Sequence, residues 1–103
     1  MIYLDNSATT RPNGACVAAM NELLTDCWFN PSAVYRPGMD AAHRLKTART
    51  QVAQALGAEP ERVFFTSGGT EADNWAIFSA AKRLGKRGKH IVTTAVEHHA
   101  VLH

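Results

Sequence analysis

The fold class of this chain is indicated by residues 62–95, RVFFTSGGTEADNWAIFSAAKRLGKRGKHIVTTA. The apolar run at residues 63–66 is rich in residues that favour β-structure and predicts a buried strand. Apolar residues then recur at helical spacing, which predicts a helix over residues 71–84 that stops at Gly85. The run at residues 90–94 predicts a second buried strand. Two strands joined by one helix predict a parallel βαβ unit with a right-handed crossover.

Two further helices are predicted before this unit. Asn13 is a suitable N-cap for a helix over residues 14–27, where apolar residues form one stripe. A second stripe predicts a helix over residues 40–56, with Gly57 as its C-terminal stop. The prolines within residues 30–38 predict a loop between the two helices, because proline disfavours a helical conformation for the residue before it.

The predicted class is α/β, with three helices, one parallel βαβ unit and an incomplete sheet. Residues 1–5 predict a short extended stretch, and residues 97–103 begin another helix without any stop signal. A parallel sheet needs helices on both faces and neighbours at both edges, which two or three short strands do not supply. We therefore expect the chain to be a fragment of a larger α/β protein.

Composition excludes several classes of function. The 103 residues are 46% hydrophobic and 19% charged, as in ordinary globular domains, and a net charge of +2 does not indicate nucleic acid or an anionic membrane. No apolar run approaches the roughly 20 residues that span a bilayer. Residues 1–5 carry no export signal, so a cytoplasmic protein is expected.

Cys16 and Cys27 fall about 16 Å apart along one predicted helix, too far for a disulfide.

The turn Ser67-Gly68-Gly69-Thr70 is a candidate anion site. Glycines let backbone N–H groups approach a ligand, and the first turn of a helix has unpaired donors and a partial positive charge. The hydroxyls of Ser67 and Thr70 are additional candidate donors to a phosphate. An ordinary turn, in which Ser67 or Thr70 caps the helix, explains the spacing equally well. The turn matches neither a Walker motif nor G-x-G-x-x-G, so nucleotides are not specifically indicated.

Four separated stretches resemble one protein family. They are YLDNSATT at 3–10, NPSAVYRPG at 30–38, TSGGTEADN at 66–74 and VEHHAVL at 96–102. In this order they are similar to the signature segments of cysteine desulfurases, in the class V aminotransferase group of fold-type I pyridoxal-phosphate enzymes. The resemblance implies that residues 1–13 are an extended segment on the small-domain side. It also implies that residues 14–103 begin the large cofactor-binding domain.

The resemblance implies a cofactor site as well. In this family the phosphate of pyridoxal phosphate rests on the turn that matches Gly69 and Thr70. The imidazole that matches His98 stacks on the cofactor ring, where it is suited to moving protons. Tyr35 stands where the family often carries a histidine. His99 and His103 are spaced i, i+4, but no third ligand accompanies them, so no metal site is predicted.

The implied activity is removal of sulfur from L-cysteine, which leaves alanine and an enzyme persulfide. The sulfur would pass to an acceptor protein such as an iron–sulfur scaffold, or to tRNA thiolation, and the family implies a homodimer. The family's Schiff-base lysine and nucleophilic cysteine match no residue here, so the 103 residues alone are expected to be inactive. A selenocysteine lyase, another class V enzyme and a non-enzymatic phosphate-binding or assembly module remain open.

Overall fold

The computed structural model describes residues 2–102, and the chain divides into two compact units, Met1–Val63 and Phe64–His103. The first unit contains helices α1 (Gly14–Thr25) and α2 (Arg36–Leu56) and a short 3-10 helix (Pro60–Arg62). The second unit contains helices α3 (Gly69–Leu84) and α4 (His99–Leu102). The three longer helices are the three that the sequence predicts.

Helix α1 begins where its cap predicts but ends early. The Asn13 side-chain oxygen accepts a hydrogen bond of 2.8 Å from the N–H of Cys16, as an N-cap does. The helix ends at Thr25, whose hydroxyl donates back to the carbonyl of Asn21. Threonine and the aspartate that follows it are poor helix formers that bond to nearby backbone instead. The prediction that Cys27 lies in this helix was therefore wrong, and Cys16 and Cys27 are both free thiols.

Helix α2 starts at Arg36, four residues before the predicted start at Asp40. Pro37 lies in the first turn, where a backbone N–H would have no intrahelical partner, so proline costs nothing there. The sequence-based prediction was wrong because it read this proline as part of a loop. The C-terminal stop is confirmed, since Gly57 adopts the left-handed conformation with φ 63° and ψ 33°.

The first turn of α2 packs closely on the loop before it. Gly38 is buried, and a Cβ atom at this position would lie 2.6 Å from the carbonyl oxygen of Ala33 and 2.9 Å from that of Asn30. A hydrogen bond stabilises the loop, because the Asn30 side-chain oxygen accepts one of 2.8 Å from the backbone N–H of Ser32. Glycine at position 38 is therefore required by the close approach of two backbone segments.

The remaining contacts of the first unit are sparse. Helix α2 packs on the 3-10 helix, and the Arg49 side chain donates a hydrogen bond of 3.1 Å to the carbonyl of Val63. An exposed ion pair joins Glu22 of α1 to Arg44 of α2. Such exposed pairs add little to stability. The position of α2 therefore depends mainly on close packing at small residues.

The parallel βαβ unit is not confirmed. Within residues 2–102 the structure contains no strand, so the segments predicted as strands at residues 63–66 and 90–94 form no ladder. A strand needs a neighbour to pair its N–H and carbonyl groups, and parallel strands pair within larger sheets. The apolar residues that recur along α3 are also poorly covered, since Phe78 is 70% exposed.

Gly38→Ala is expected to lower the free energy of unfolding by roughly 1–3 kcal/mol, the usual cost of forcing atoms into filled space. The obstructing atoms include backbone oxygens, which cannot swing aside as the end of a side chain can. Urea unfolding of the whole protein measures this loss. Gly14→Ala is the matched control, because a Cβ atom there meets nothing within 4 Å. Equal losses in the two variants would contradict close packing at Gly38.

Candidate functional site

The candidate anion turn forms the beginning of α3. The helix begins at Gly69, two residues before the predicted start, because the N–H of Ala72 already reaches the carbonyl of Gly68 at 3.2 Å. Gly68 is the N-cap, and no side chain caps the helix. The alternative in which Ser67 or Thr70 is an ordinary N-cap was therefore wrong.

Ser67 holds the carboxylate of Glu71. The backbone N–H and the hydroxyl of Ser67 each donate a hydrogen bond of 2.7 Å to Oε2 of Glu71. Both hydrogen bonds lower the pKa of Glu71 below its usual value, because both favour the charged form of the carboxyl group. The bond from the backbone N–H has the larger effect and the bond from the hydroxyl the smaller one. The Ser67 hydroxyl, a candidate phosphate donor from the sequence, is thus engaged by a side chain of its own turn.

The backbone N–H groups of Gly69 and Thr70 are open donors. They lie in the first turn, where no intrahelical acceptor exists, and neither donates a hydrogen bond within residues 2–102. A Cβ atom built on Gly68 or Gly69 meets nothing within 4 Å, so this side of the turn is unfilled. Open donors, the positive end of a 16-residue helix and room for close approach together suit a phosphate group.

His98 lies directly before α4 and is fixed through one ring nitrogen. Its Nδ1 accepts a hydrogen bond of 3.1 Å from the backbone N–H of Ala100. Because an accepting ring nitrogen carries no proton, the neutral imidazole holds its proton on Nε2. The side chain is exposed and its ring lies 6.2 Å from that of His99, between centroids, in an edge-on arrangement, which leaves ring surface and Nε2–H available to a ligand.

Asn74 connects the two parts of this site. Its Nδ2 donates to the carbonyl of Thr70 at 2.9 Å and to the carbonyl of Ala100 at 3.0 Å. Since Ala100 also donates its N–H to His98, a chain of hydrogen bonds runs from Thr70 to His98. Sequence reasoning named Asn74 as part of the segment at residues 66–74 and gave it no role of its own. The signal was a polar side chain within an apolar stripe.

The other segments that carry the resemblance form local structure in the first unit. The Tyr3 hydroxyl lies 2.8 Å from the carbonyl oxygen of Asp5 and 3.0 Å from that of Thr9. Tyr35 is the N-cap residue of α2, and its side chain makes no capping bond. These contacts give neither tyrosine a ligand-binding role.

Residues 2–102 contain neither a cluster of metal-ligating side chains nor a helix suited to spanning a membrane. No three side chains of the His, Cys, Asp and Glu types come together there as metal ligands would. His103, which is spaced i, i+4 from His99, lies outside the described residues. None of the helices in this part of the chain combines the length and apolar character that crossing a membrane requires.

Comparison with known proteins identifies close relatives. The family described as aminotransferase class-V matches residues 2–103. A cysteine desulfurase IscS from Methanosarcina thermophila is 49% identical over 102 residues, which are 99% of this chain and 25% of that protein. A cysteine desulfurase IscS from Clostridium botulinum (strain Hall) is 44% identical over 99% of this chain and 26% of its own length. A selenocysteine lyase from Xenopus laevis is 40% identical over 97% of this chain and 26% of its own length.

A solved structure supports the same relationship. A NifS-like protein superposes with a TM-score of 0.88 at 38% identity, covering 98% of this chain and 28% of that chain. The chain therefore shares the fold of the corresponding part of that protein. It spans about a quarter of the length of the curated relatives that it matches.

Ser67→Ala is expected to raise the pKa of Glu71 toward its usual range, because it removes the hydroxyl donor and leaves the backbone donor. A carboxyl with a lowered folded-state pKa contributes stability above its unfolded-state pKa and loses it as pH falls through the lowered value. Carbon-13 NMR titration of the Glu71 carboxyl measures the change. Thr66→Val is the control, since the Thr66 hydroxyl lies 3.1 Å from the Gly68 carbonyl and not against Glu71. An unmoved Glu71 pKa in Ser67→Ala would contradict this interaction.

Nitrogen-15 NMR of histidine-labelled protein at alkaline pH is expected to show His98 in the Nε2–H tautomer. The reason is the bond from the Ala100 N–H to Nδ1, which only an unprotonated nitrogen accepts. His43, an exposed ring on α2, is the internal reference for a histidine without such a bond. A His98 ring protonated at Nδ1 would be incompatible with the structure.

Proposed function

Because the chain belongs to the aminotransferase class-V family, we propose that the whole protein is a pyridoxal-phosphate-dependent cysteine desulfurase. The observation that carries this proposal is the open pair of N–H groups at Gly69 and Thr70, beside space that no side chain fills. The cysteine desulfurase relatives, at 49% and 44% identity, support this chemistry more strongly than the selenocysteine lyase at 40%.

In this proposal the start of α3 holds the cofactor phosphate. The N–H groups of Gly69 and Thr70 would donate to two phosphate oxygens, and the Thr70 hydroxyl is placed at the same turn. The Glu71 carboxylate, which would repel a phosphate, is turned back to Ser67 by two short hydrogen bonds. The residues present therefore fit a dianionic group at this helix end.

His98 would lie against the cofactor ring. With Nδ1 engaged by Ala100, the neutral imidazole offers Nε2–H as a hydrogen-bond donor. To accept a proton on Nδ1, the ring would have to release the Ala100 N–H. We therefore assign two roles to His98: it orients the cofactor ring, and it donates a hydrogen bond through Nε2–H. Pyridoxal phosphate itself supplies an electron sink for charge that develops on the substrate.

The proposal extends to the rest of the protein. Residues 1–13 would belong to the small-domain side and residues 14–103 to the large cofactor-binding domain. L-Cysteine is the proposed substrate, with alanine and an enzyme persulfide as products and an iron–sulfur scaffold or tRNA-thiolation protein as sulfur acceptor. We propose a cytoplasmic homodimer. The Schiff-base lysine and the nucleophilic cysteine match no residue in this chain and would lie elsewhere in the whole protein.

Gly69→Pro tests the phosphate-binding role directly. Position 69 is the first residue of α3, where proline suits the helix and removes only the N–H, while Gly68 before it is already extended. Loss of one hydrogen bond to a charged group is expected to weaken binding of pyridoxal phosphate to the whole protein by roughly 10- to 100-fold. Gly14→Pro makes the same change at the first residue of α1 and is expected to leave binding unchanged.

The activity assay follows alanine released from L-cysteine by the cofactor-loaded protein, and sulfide released when an added dithiol reduces the enzyme persulfide, with selenocysteine as the competing substrate. Activity on L-cysteine is expected, and His98→Ala should lower kcat by roughly 10²- to 10³-fold, the usual cost of removing one preorganised hydrogen-bond donor from an active site. A Gly69→Pro variant that binds the cofactor as tightly as the original would contradict the phosphate site. Activity on selenocysteine alone would contradict the desulfurase assignment.

A further inference from the structure

We infer that Asn74 is a positioning residue that sets where His98 stands relative to the phosphate-binding turn. This inference rests on the proposed function and names a further residue of the same site. The hydrogen bonds of the Asn74 side chain go to the carbonyl of Thr70, at the turn, and to the carbonyl of Ala100, beside His98. Asn74 acts on the turn and on His98 through these backbone carbonyl groups.

The Asn74 amide is fully used as a donor. Nδ2 carries two hydrogens, and its two acceptors are the carbonyl oxygens of Thr70, at 2.9 Å, and Ala100, at 3.0 Å. Because both partners are carbonyls, only the amide nitrogen can face them, which fixes the orientation of the side chain. The bond to Thr70 within α3 holds the side chain in place, and the second hydrogen is then directed at Ala100.

The Ala100 peptide transmits this restraint to His98. Ala100 is buried, its carbonyl accepts from Asn74, and its N–H donates to Nδ1 of His98. Hydrogen bonds in series polarise and strengthen one another. The four residues of α4 are too few to be stable as an isolated helix, so their position depends on contacts with α3.

Removal of the Asn74 donors would therefore have a selective effect. The N–H groups of Gly69 and Thr70 belong to the backbone of α3 and keep their positions, so the phosphate should still bind. The segment at residues 98–102 loses its polar link to α3, so the His98 ring should lose its fixed place. A positioning role predicts this separation, whereas general unfolding would remove both properties together.

Asn74→Leu, which keeps the size of the side chain and removes both donors, tests the inference in the whole protein. We expect kcat with L-cysteine to fall about 10- to 100-fold, as misplacement of a reacting group by about 1 Å does. Affinity for pyridoxal phosphate should change less than about threefold, well below the loss of one phosphate hydrogen bond. The visible circular dichroism of the bound cofactor should weaken, because it reports on the asymmetry of the ring environment. Asn74→Gln, which retains the amide, should restore part of both signals.

The matched control is Asn21→Leu, the same change at an exposed asparagine of α1, which should leave activity and dichroism unchanged. A double-variant cycle then isolates the route of the effect. If Asn74 acts through His98, Asn74→Leu should lower kcat in the original protein and have little further effect in His98→Ala. Faster hydrogen exchange at the Ala100 N–H in Asn74→Leu would be the cofactor-independent sign of a released segment.

The outcomes that overturn the inference are distinct from those that overturn the proposed function. Full activity in Asn74→Leu, or effects of Asn74→Leu and His98→Ala that simply add, would overturn the positioning role alone. Equal loss of cofactor affinity, dichroism and folding in Asn74→Leu would replace it with a purely structural role. If the unsubstituted protein binds no pyridoxal phosphate while its Ala100 N–H is still protected from hydrogen exchange, the proposed function is overturned. The catalytic role inferred for Asn74 would then be overturned with it.

Discussion

One side-chain amide, held between two backbone carbonyl groups, joins the two helices of the second unit. Asn74 links α3 to the segment that carries His98, and it does so in a part of the molecule with little apolar burial. The buried hydrophobic side chains within residues 2–102 are Ala41, Ala53 and Ala100. Where hydrophobic contact is so limited, directional hydrogen bonds decide which groups face one another, because apolar packing alone is non-directional.

Several large apolar side chains of this chain are exposed, although many of its polar groups are paired by hydrogen bonds. Leu24 of α1 is 72% exposed and Val92, in the segment before α4, is 86% exposed. The aromatic rings of Phe64 and Trp75 pack against each other at 5.3 Å between centroids, yet both remain largely exposed. An exposed aromatic pair such as Phe64 and Trp75 suits packing against another protein segment. The start of α3, by contrast, is open and polar, which suits a small anionic ligand.

Features set by local sequence were predicted well, and features set by distant contacts were not. Asn13 marks the start of α1 and Gly57 the end of α2 as expected, because a helix cap depends only on neighbouring residues. The start of α2 was mispredicted at Pro37, because proline is common both after the end of a helix and in the first turn of one. The strand pattern at residues 90–94 produced no ladder, since a ladder requires a partner strand. The Asn74 link spans 26 residues, a separation that no local pattern reveals.

A crystal structure of the whole protein with pyridoxal phosphate is the most direct measurement of the proposed site. The phosphate oxygens are expected about 2.7–3.2 Å from the backbone nitrogens of Gly69 and Thr70, with the His98 ring against the cofactor and Asn74 still joining Thr70 to Ala100. A cofactor whose phosphate lies away from the start of α3, or a His98 ring turned away from it into solvent, would contradict the proposed site.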